Sequence, residues 1–215
     1  TAALSPRTWT PFWPSIWPKS FGSMRELSLN VMDIAQNSIS AGASLITIAV
    51  VEDQRADTLS ISVEDNGKGM SPETVQRVID PFYTTRTTRS VGLGVPLFKM
   101  EAEMTGGSFH IDSQLGVGTT LTAVFKPSSV DMIPLGDING TVQLLISCNP
   151  GLDFVFRREL CTLEGERREF QLETAELRQV LGEDVPLDTP DVVLWIKDYL
   201  NEQTAALLHP ETVES

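Results

Sequence analysis

Leu27, Val31, Ile34, Ala35, Ser38 and Ile39 recur at near-helical spacing, so the first periodic stretch of the chain predicts a helix, with Gly42 as its stop. The pattern then changes period. Residues 45–51 and 59–65 read as strands, the second alternating Leu59, Ile61 and Val63 with Ser60, Ser62 and Glu64, which leaves Asp65 at a strand exit. Ser71 can cap a second helix with Pro72 in its first position and Val75, Val78 and Ile79 on its apolar face. A third helix is expected from about Leu93 through Leu97, Met100 and Met104 to a stop at Gly106 and Gly107. Residues 109–113 and 119–125 form a strand pair across a glycine-rich connection. Beyond Pro127 the pattern predicts a hairpin of strands 142–147 and 154–160 around Cys148-Asn149-Pro150-Gly151. A short strand at 168–172 and helices at 174–181 and 192–208 follow.

This succession predicts an α/β fold, a two-layer sandwich with a mixed sheet, over residues 24–127. Residues 128–215 read as a smaller α/β accessory region, serving partner docking or dimerisation, or else as a structural extension. Residues 1–23 show neither period. Pro11, Pro14 and Pro18 interrupt them too often for a signal-peptide core, and they read as a disordered or non-native leader, the alternative being an aromatic, proline-rich ligand for a partner.

Charge narrows the class of partner. Residues 23–127 carry 8 basic and 12 acidic side chains, net −4, and residues 128–215 carry 6 and 17, net −11. Such a surface disfavours a nucleic-acid backbone and suits a protein partner or a magnesium-bound nucleotide. No apolar run approaches the roughly 18 residues that cross a bilayer, so no membrane insertion and a cytoplasmic location are expected. Cys148 and Cys161 are widely spaced, and with only His110 and His209 beside them they make no structural zinc site.

Four signals in order carry the chemistry. Asp33 and Asn37 lie four residues apart on the first predicted helix and therefore share a face. The Asn37 amide oxygen suits magnesium, a hard cation that takes most of its other ligands from phosphate and water, while Asp33 can orient water or accept a proton from a hydroxyl. Asp65, in DNGKGM, can accept a hydrogen bond from an adenine amino group, with Gly67 and Gly69 permitting close backbone approach. Gly92 and Gly94, in SVGLGVP, precede the third helix and can place its first N–H groups near phosphate, with Arg86 and Lys99 as candidate phosphate-neutralising cations. The last signal is GVGTT at 116–120.

Together these segments resemble the Bergerat-fold ATPases, the superfamily of histidine-kinase catalytic domains, Hsp90-type chaperones, type II topoisomerases and mismatch-repair ATPases. DIAQNS is similar to the family's N box, DNGKGM to its G1 box, DPFYTT to its F box, SVGLGVP to its G2 box, and GVGTT to its closing motif. The resemblance implies ATP and magnesium as cofactors, with Asn37 on the metal and Asp65 selecting adenine. It also implies that Thr119 supports Asp65 or a water near the base, and that Gly92 and Gly94 shape a mobile lid positioned by Phe82 and Tyr83. The kinase branch is the nearer one.

Asp33 departs from the pattern. Several ATP-hydrolysing members and the anti-sigma serine kinases have Glu there, and typical histidine kinases often have Asn; Asp keeps the carboxylate on a shorter arm. Neither His110 nor His209 resembles an acceptor histidine on a dimerising hairpin. The expected function is therefore transfer of the γ-phosphoryl group of ATP to a separate protein at Ser, Thr or His. An ATP-hydrolysing conformational switch and a non-catalytic nucleotide-sensing module are the alternatives.

Overall fold

Helix α1 (Leu27–Ser40) opens the described part of the chain and shows how its apolar stripe is used. Leu27, Val31, Ile34 and Ala35 are buried against the sheet, so one face of the helix supplies core while Asp33 and Asn37 remain half-exposed beside it. Its N-terminus has no side-chain cap. Instead Leu27 and Ser28 donate their N–H groups to Pro134 O at 3.0 Å and Leu135 O at 2.9 Å, so a remote segment satisfies two of the orphan donors.

The structure is a computed structural model that describes residues 26–80, 94–182 and 185–209. Strands β1 (Leu45–Asp53) and β2 (Thr58–Asp65) form an antiparallel pair, followed by the short helix α2 (Pro72–Val78) and by α3 (Gly94–Met104). Strands β3 (Ser108–Gln114) and β4 (Gly118–Phe125) are antiparallel, and β4 pairs with β2 so that Thr119 faces Asp65 in register. Helix α4 (Ile138–Cys148), β5 (Asp153–Cys161), β6 (Arg167–Glu173), α5 (Thr174–Leu181) and α6 (Pro190–Leu208) complete the described elements. Among the described residues the strands join in one mixed sheet, ordered β3-β4-β2-β1-β5-β6. The α/β sandwich expected from the sequence is the fold observed.

Alternation along the strands decides which face is core. Ile46, Ile48 and Val50 of β1, Leu59, Ile61 and Val63 of β2, and Leu121, Ala123 and Phe125 of β4 are buried, whereas their neighbours are half-buried or exposed. Phe98 of α3 meets Phe125 of β4 with ring centroids 5.3 Å apart, which seats α3 on the sheet. Phe154, Phe156 and Leu160 continue the same buried layer into β5.

The hairpin expected at 142–147 and 154–160 is corrected by the structure. Residues 142–147 are helical, within α4, because Ile138, Val142, Leu145 and Ile146 bury one helical face and the Asp137 side chain caps Gly140 N at 2.8 Å. The four residues around Pro150 therefore turn a helix into a strand. That frees β5 to pair parallel with β1 from Leu45↔Asp153 to Asp53↔Cys161, and its antiparallel partner is β6. The elements after residue 127 thus extend the first sheet, with α4 packed on α1.

Because Leu145 is fully buried in that shared layer, Leu145→Ala should destabilise the protein by about 2–5 kcal/mol. Chemical denaturation followed by circular dichroism should show one transition displaced as a whole. A displaced second transition beside an unmoved first would mean that the C-terminal elements unfold on their own.

Candidate functional site

Asp65 is the centre from which the site is built. It ends β2 with 9 % of its surface exposed, and its two carboxylate oxygens accept different donors: Ser38 Oγ at 2.7 Å and the Gly67 N–H at 2.9 Å. Ser38 lies on α1 one residue after Asn37, so a single hydroxyl locks the C-terminal turn of α1 to the end of β2. Each oxygen keeps a lone pair for a further donor.

The turn after Asp65 is held on both sides. Asn66 Oδ1 accepts from Ser44 N at 2.8 Å and Leu45 N at 3.0 Å, and Asn66 Nδ2 donates to Ser44 Oγ at 2.9 Å, tying the turn to the start of β1. Lys68 donates its N–H to Ala41 O at 3.0 Å and accepts from Gly116 N at 2.8 Å. Gly69 has φ +63°, and a Cβ there would lie 1.9 Å from Gln114 O, so the glycine is required by the neighbouring hairpin as well as by the turn. Ser113 Oγ then receives Met70 N–H at 2.8 Å and lies 2.9 Å from Thr119 Oγ1, linking the turn to both strands of that hairpin.

Behind this turn is a cavity of about 280 Å³. Val63, Ile111 and Leu121 give it an apolar floor, Ile34, Asn37 and Ser38 of α1 form one wall, and Met70, Thr74 and Val78 form the other. Thr119, Asp65, Gly69, Lys68 and Val95 also reach it. Its lining combines apolar side chains with one buried carboxylate, Asp65, and one amide, Asn37. A second cavity of about 240 Å³ lies between Thr47, Glu64, Asp112 and Thr120, where exposed carboxylates disfavour an anionic ligand.

Asp33 sits one helical turn before Asn37, and its Oδ2 accepts the Gly94 N–H at 2.9 Å. A Cβ on Gly94 would stand 2.2 Å from that oxygen, so only glycine lets the start of α3 come this close. The structure therefore brings together Asp33, Asn37, Asp65, Gly67, Gly69, Gly94 and Thr119. Gly67 packs against the α1–β1 link, its absent Cβ having 3.0 Å to Ala41 O. Lys99 is placed differently: it lies on α3 at 4.0 Å from Glu103 and takes no part in lining the cavity. Arg86, Gly92, Phe82 and Tyr83 lie outside the described residues.

Sequence reasoning missed a buried polar pair that joins the same two helices. Asn30 of α1 donates from Nδ2 to Glu101 Oε2 of α3, and both residues are buried. Asn30 Oδ1 has no partner. Burial pushes the Glu101 carboxyl up to about 7, against the lowering effect of the Asn30 amide. In its protonated form Glu101 can donate the missing hydrogen bond to Asn30 Oδ1, which would make the pair reciprocal. A polar residue at an otherwise apolar helical position, Glu101 among Val95, Phe98 and Ala102, is the signal that could have found it.

Residues 23–129 match the family described as histidine kinase-, DNA gyrase B- and HSP90-like ATPase. Similar curated proteins include the sensor protein SrrB of Staphylococcus aureus, 36 % identical over 110 residues, covering 49 % of this chain and 18 % of that protein. Another is the sensor histidine kinase YvrG of Bacillus subtilis, 31 % identical over 94 residues, or 42 % of this chain and 16 % of that one. The match thus spans less than a fifth of either relative. The crystal structure of the N-terminal domain of a DNA repair protein is similar with a TM-score of 0.47 and 15 % identity, covering 72 % of this chain and 54 % of that one.

The Glu101 carboxyl binds its proton more tightly in the folded than in the unfolded chain, so its contribution to stability is full below pH 4.5 and is lost as pH rises to about 7. The loss should be on the order of 3 kcal/mol. Glu101→Gln keeps a donor for Asn30 Oδ1 and an acceptor for Nδ2, so urea denaturation between pH 4.5 and 8 should show a flatter profile for this variant than for the parent chain.

Proposed function

Since residues 23–129 belong to the histidine kinase-, DNA gyrase B- and HSP90-like ATPase family, we propose that the protein binds ATP with magnesium and transfers the γ-phosphoryl group to a partner protein. The observation that carries this reading is the placement of Asp33 and Asn37 on one face of α1, with Asp65 at the base of the apolar cavity beside them. Asp65, oriented by Ser38 and Gly67, accepts the exocyclic amino group of adenine. Ile34, Val63, Val78, Ile111 and Leu121 bury the faces of the base, and Thr119 completes the polar end of the slot.

Asn37 fits a magnesium ion because a neutral amide oxygen on the cavity wall is the kind of single hard ligand such an ion accepts. When bound, magnesium offsets the charge of the phosphates. Among the described residues no group of three or more His, Cys, Asp or Glu converges as a metal cage. Asp33 is the general base: it would take the proton from an incoming Ser, Thr or His side chain as the new bond to the γ-phosphorus forms and the bond from that phosphorus to the β–γ bridging oxygen breaks, with ADP as the leaving group. The Gly94 N–H fixes one of its oxygens, leaving the other to face the acceptor.

A carboxylate at this position serves water as readily as a side chain, so the same geometry also supports a second reading, an ATP-hydrolysing conformational switch. In that reading the Asp33–Gly94 contact couples the base to α3. The names of the relatives, a sensor histidine kinase and a sensor protein, support a protein partner for this chain. No helix among the described residues is long and apolar enough to cross a membrane.

Incubation with γ-labelled ATP, magnesium and candidate partners should yield protein-bound label; label released only as free phosphate with every partner would select the hydrolytic reading. Asp33→Asn should slow turnover by about 10²-fold or more while leaving ATP affinity within a few-fold. Asp65→Asn turns an acceptor oxygen into a donor facing the adenine amine, and calorimetric titration should show ATP affinity about 10- to 100-fold weaker.

A further inference from the structure

Resting on the reading of Asp33 as the base, we infer that the buried pair Asn30 and Glu101 is a positioning clamp, fixing the one register of α3 on α1 in which the Gly94 N–H meets the Asp33 carboxylate. Asn30 lies one turn before Asp33 on α1, and Glu101 lies two turns after Gly94 on α3. The helices are thus tied at two levels, Asn30 Nδ2 to Glu101 Oε2 in the core and Gly94 N to Asp33 Oδ2 at the cavity. Neither Asn30 nor Glu101 lines the cavity. They act on it through α3, which is one continuous helix between the two ties.

Apolar packing by itself selects a register weakly. Val95, Phe98 and Ala102 of α3 are buried, and their burial rewards removal from water without regard to direction. An amide meeting a carboxyl is directional: moved out of line, both groups lose their partners in a place that excludes water. Asn30 is 1 % and Glu101 8 % exposed, and Asn30 Oδ1 has no partner. A protonated Glu101 donates to that oxygen while accepting from Nδ2, an arrangement with a single geometry. Ionised, it has no donor to offer, so Oδ1 stays orphaned beside a buried charge. The clamp is closed when Glu101 is protonated and loosens when it ionises.

Burial raises the Glu101 carboxyl to about 7, opposed by the Asn30 amide. The charged groups of the surrounding elements are engaged elsewhere. On α1, Asp33 is held by Gly94 N, and Glu26, before the helix, is exposed against Gly136. Strands β3 and β4 turn Phe109 and Phe125 toward the helices, while His110 and Asp112 alternate onto the opposite face. On α3 itself Lys99 and Glu103 lie 4.0 Å apart, and Lys126 is exposed beyond the end of the helix.

The full chain carries the test as the parent, Glu101→Gln, and the double variant Asn30→Leu with Glu101→Met. In the parent the Gly94 amide resonance should move with pH about a midpoint near 7. In Glu101→Gln that movement should be absent, which separates Glu101 from Asp33 as its source. ATP turnover should fall in the parent as pH rises through the same range and hold in Glu101→Gln. The double variant keeps the volume and removes the directional contact. At about pH 6 it should unfold at no lower urea concentration than the parent, bind ATP within about twofold and turn over about tenfold more slowly. A Gly94 resonance indifferent to pH between about 5.5 and 8.5, or a double variant with parental turnover, would overturn the clamp while leaving the nucleotide site standing. Equal losses of ATP affinity and turnover in the double variant would also overturn it, assigning the pair to the fold alone. If the double variant does not fold, the Gly94 resonance in the parent and Glu101→Gln decides. A parent chain that neither binds nor turns over ATP would overturn the proposed base and the clamp's part in turnover together.

Discussion

The contact between Ser38 Oγ and the Asp65 carboxylate, 2.7 Å long and buried, is the constraint on which the rest of the site depends. A carboxylate at the end of a central strand is costly to bury unless donors meet it. Here one donor comes from α1 and the other from the turn that follows the strand. By meeting that requirement the chain fixes the axial position of α1 over the sheet, and with it the places of Asp33 and Asn37. The glycines then follow. A Cβ at Gly118 would stand 1.9 Å from Asp65 O, so β4 can lie beside the end of β2 only if that position is bare.

The same helix is held to α3 by two polar contacts. Asp33 takes the Gly94 N–H at the cavity, and Asn30 takes Glu101 deeper in the core. Along α1 the partners run backward as those on α3 run forward, so the helices are antiparallel where they touch. A shift of α3 relative to α1 would disturb the proposed base and the buried acid together. This gives the start of α3 a physical link to the chemistry of the cavity through a hydrogen bond and a packed helix face.

Much of the fold was legible in the chain. The periods of 27–39, 59–65 and 119–125 translate into helix, strand and strand because each pattern has one buried face and a clear stop. Where it failed, at 142–147, a short apolar run fits either a strand or a buried helix, and a cap at Asp137 and burial against α1 and α6 decided for the helix. The motif residues Asp33, Asn37, Asp65, Gly69, Gly94 and Thr119 were visible as a set before any contact was known. Their division of labour was not: Gly69 and Gly118 make room for neighbouring backbone, and Asn66 fastens the turn to β1.

The sequence by itself determined the order and type of most elements and the set of polar residues and glycines gathered at one end of the central strands, because helical and strand periods and glycine-bearing turns are local properties of the chain. Tertiary structure decided the parallel pairing of β5 with β1, the meeting of Asn30 with Glu101 across 71 positions, and which lysine reaches the cavity. These depend on where elements cross. A carboxylate or an ammonium has the same local signature on either side of a helix, and only packing against the next layer sets whether it meets a partner, the solvent or the cavity.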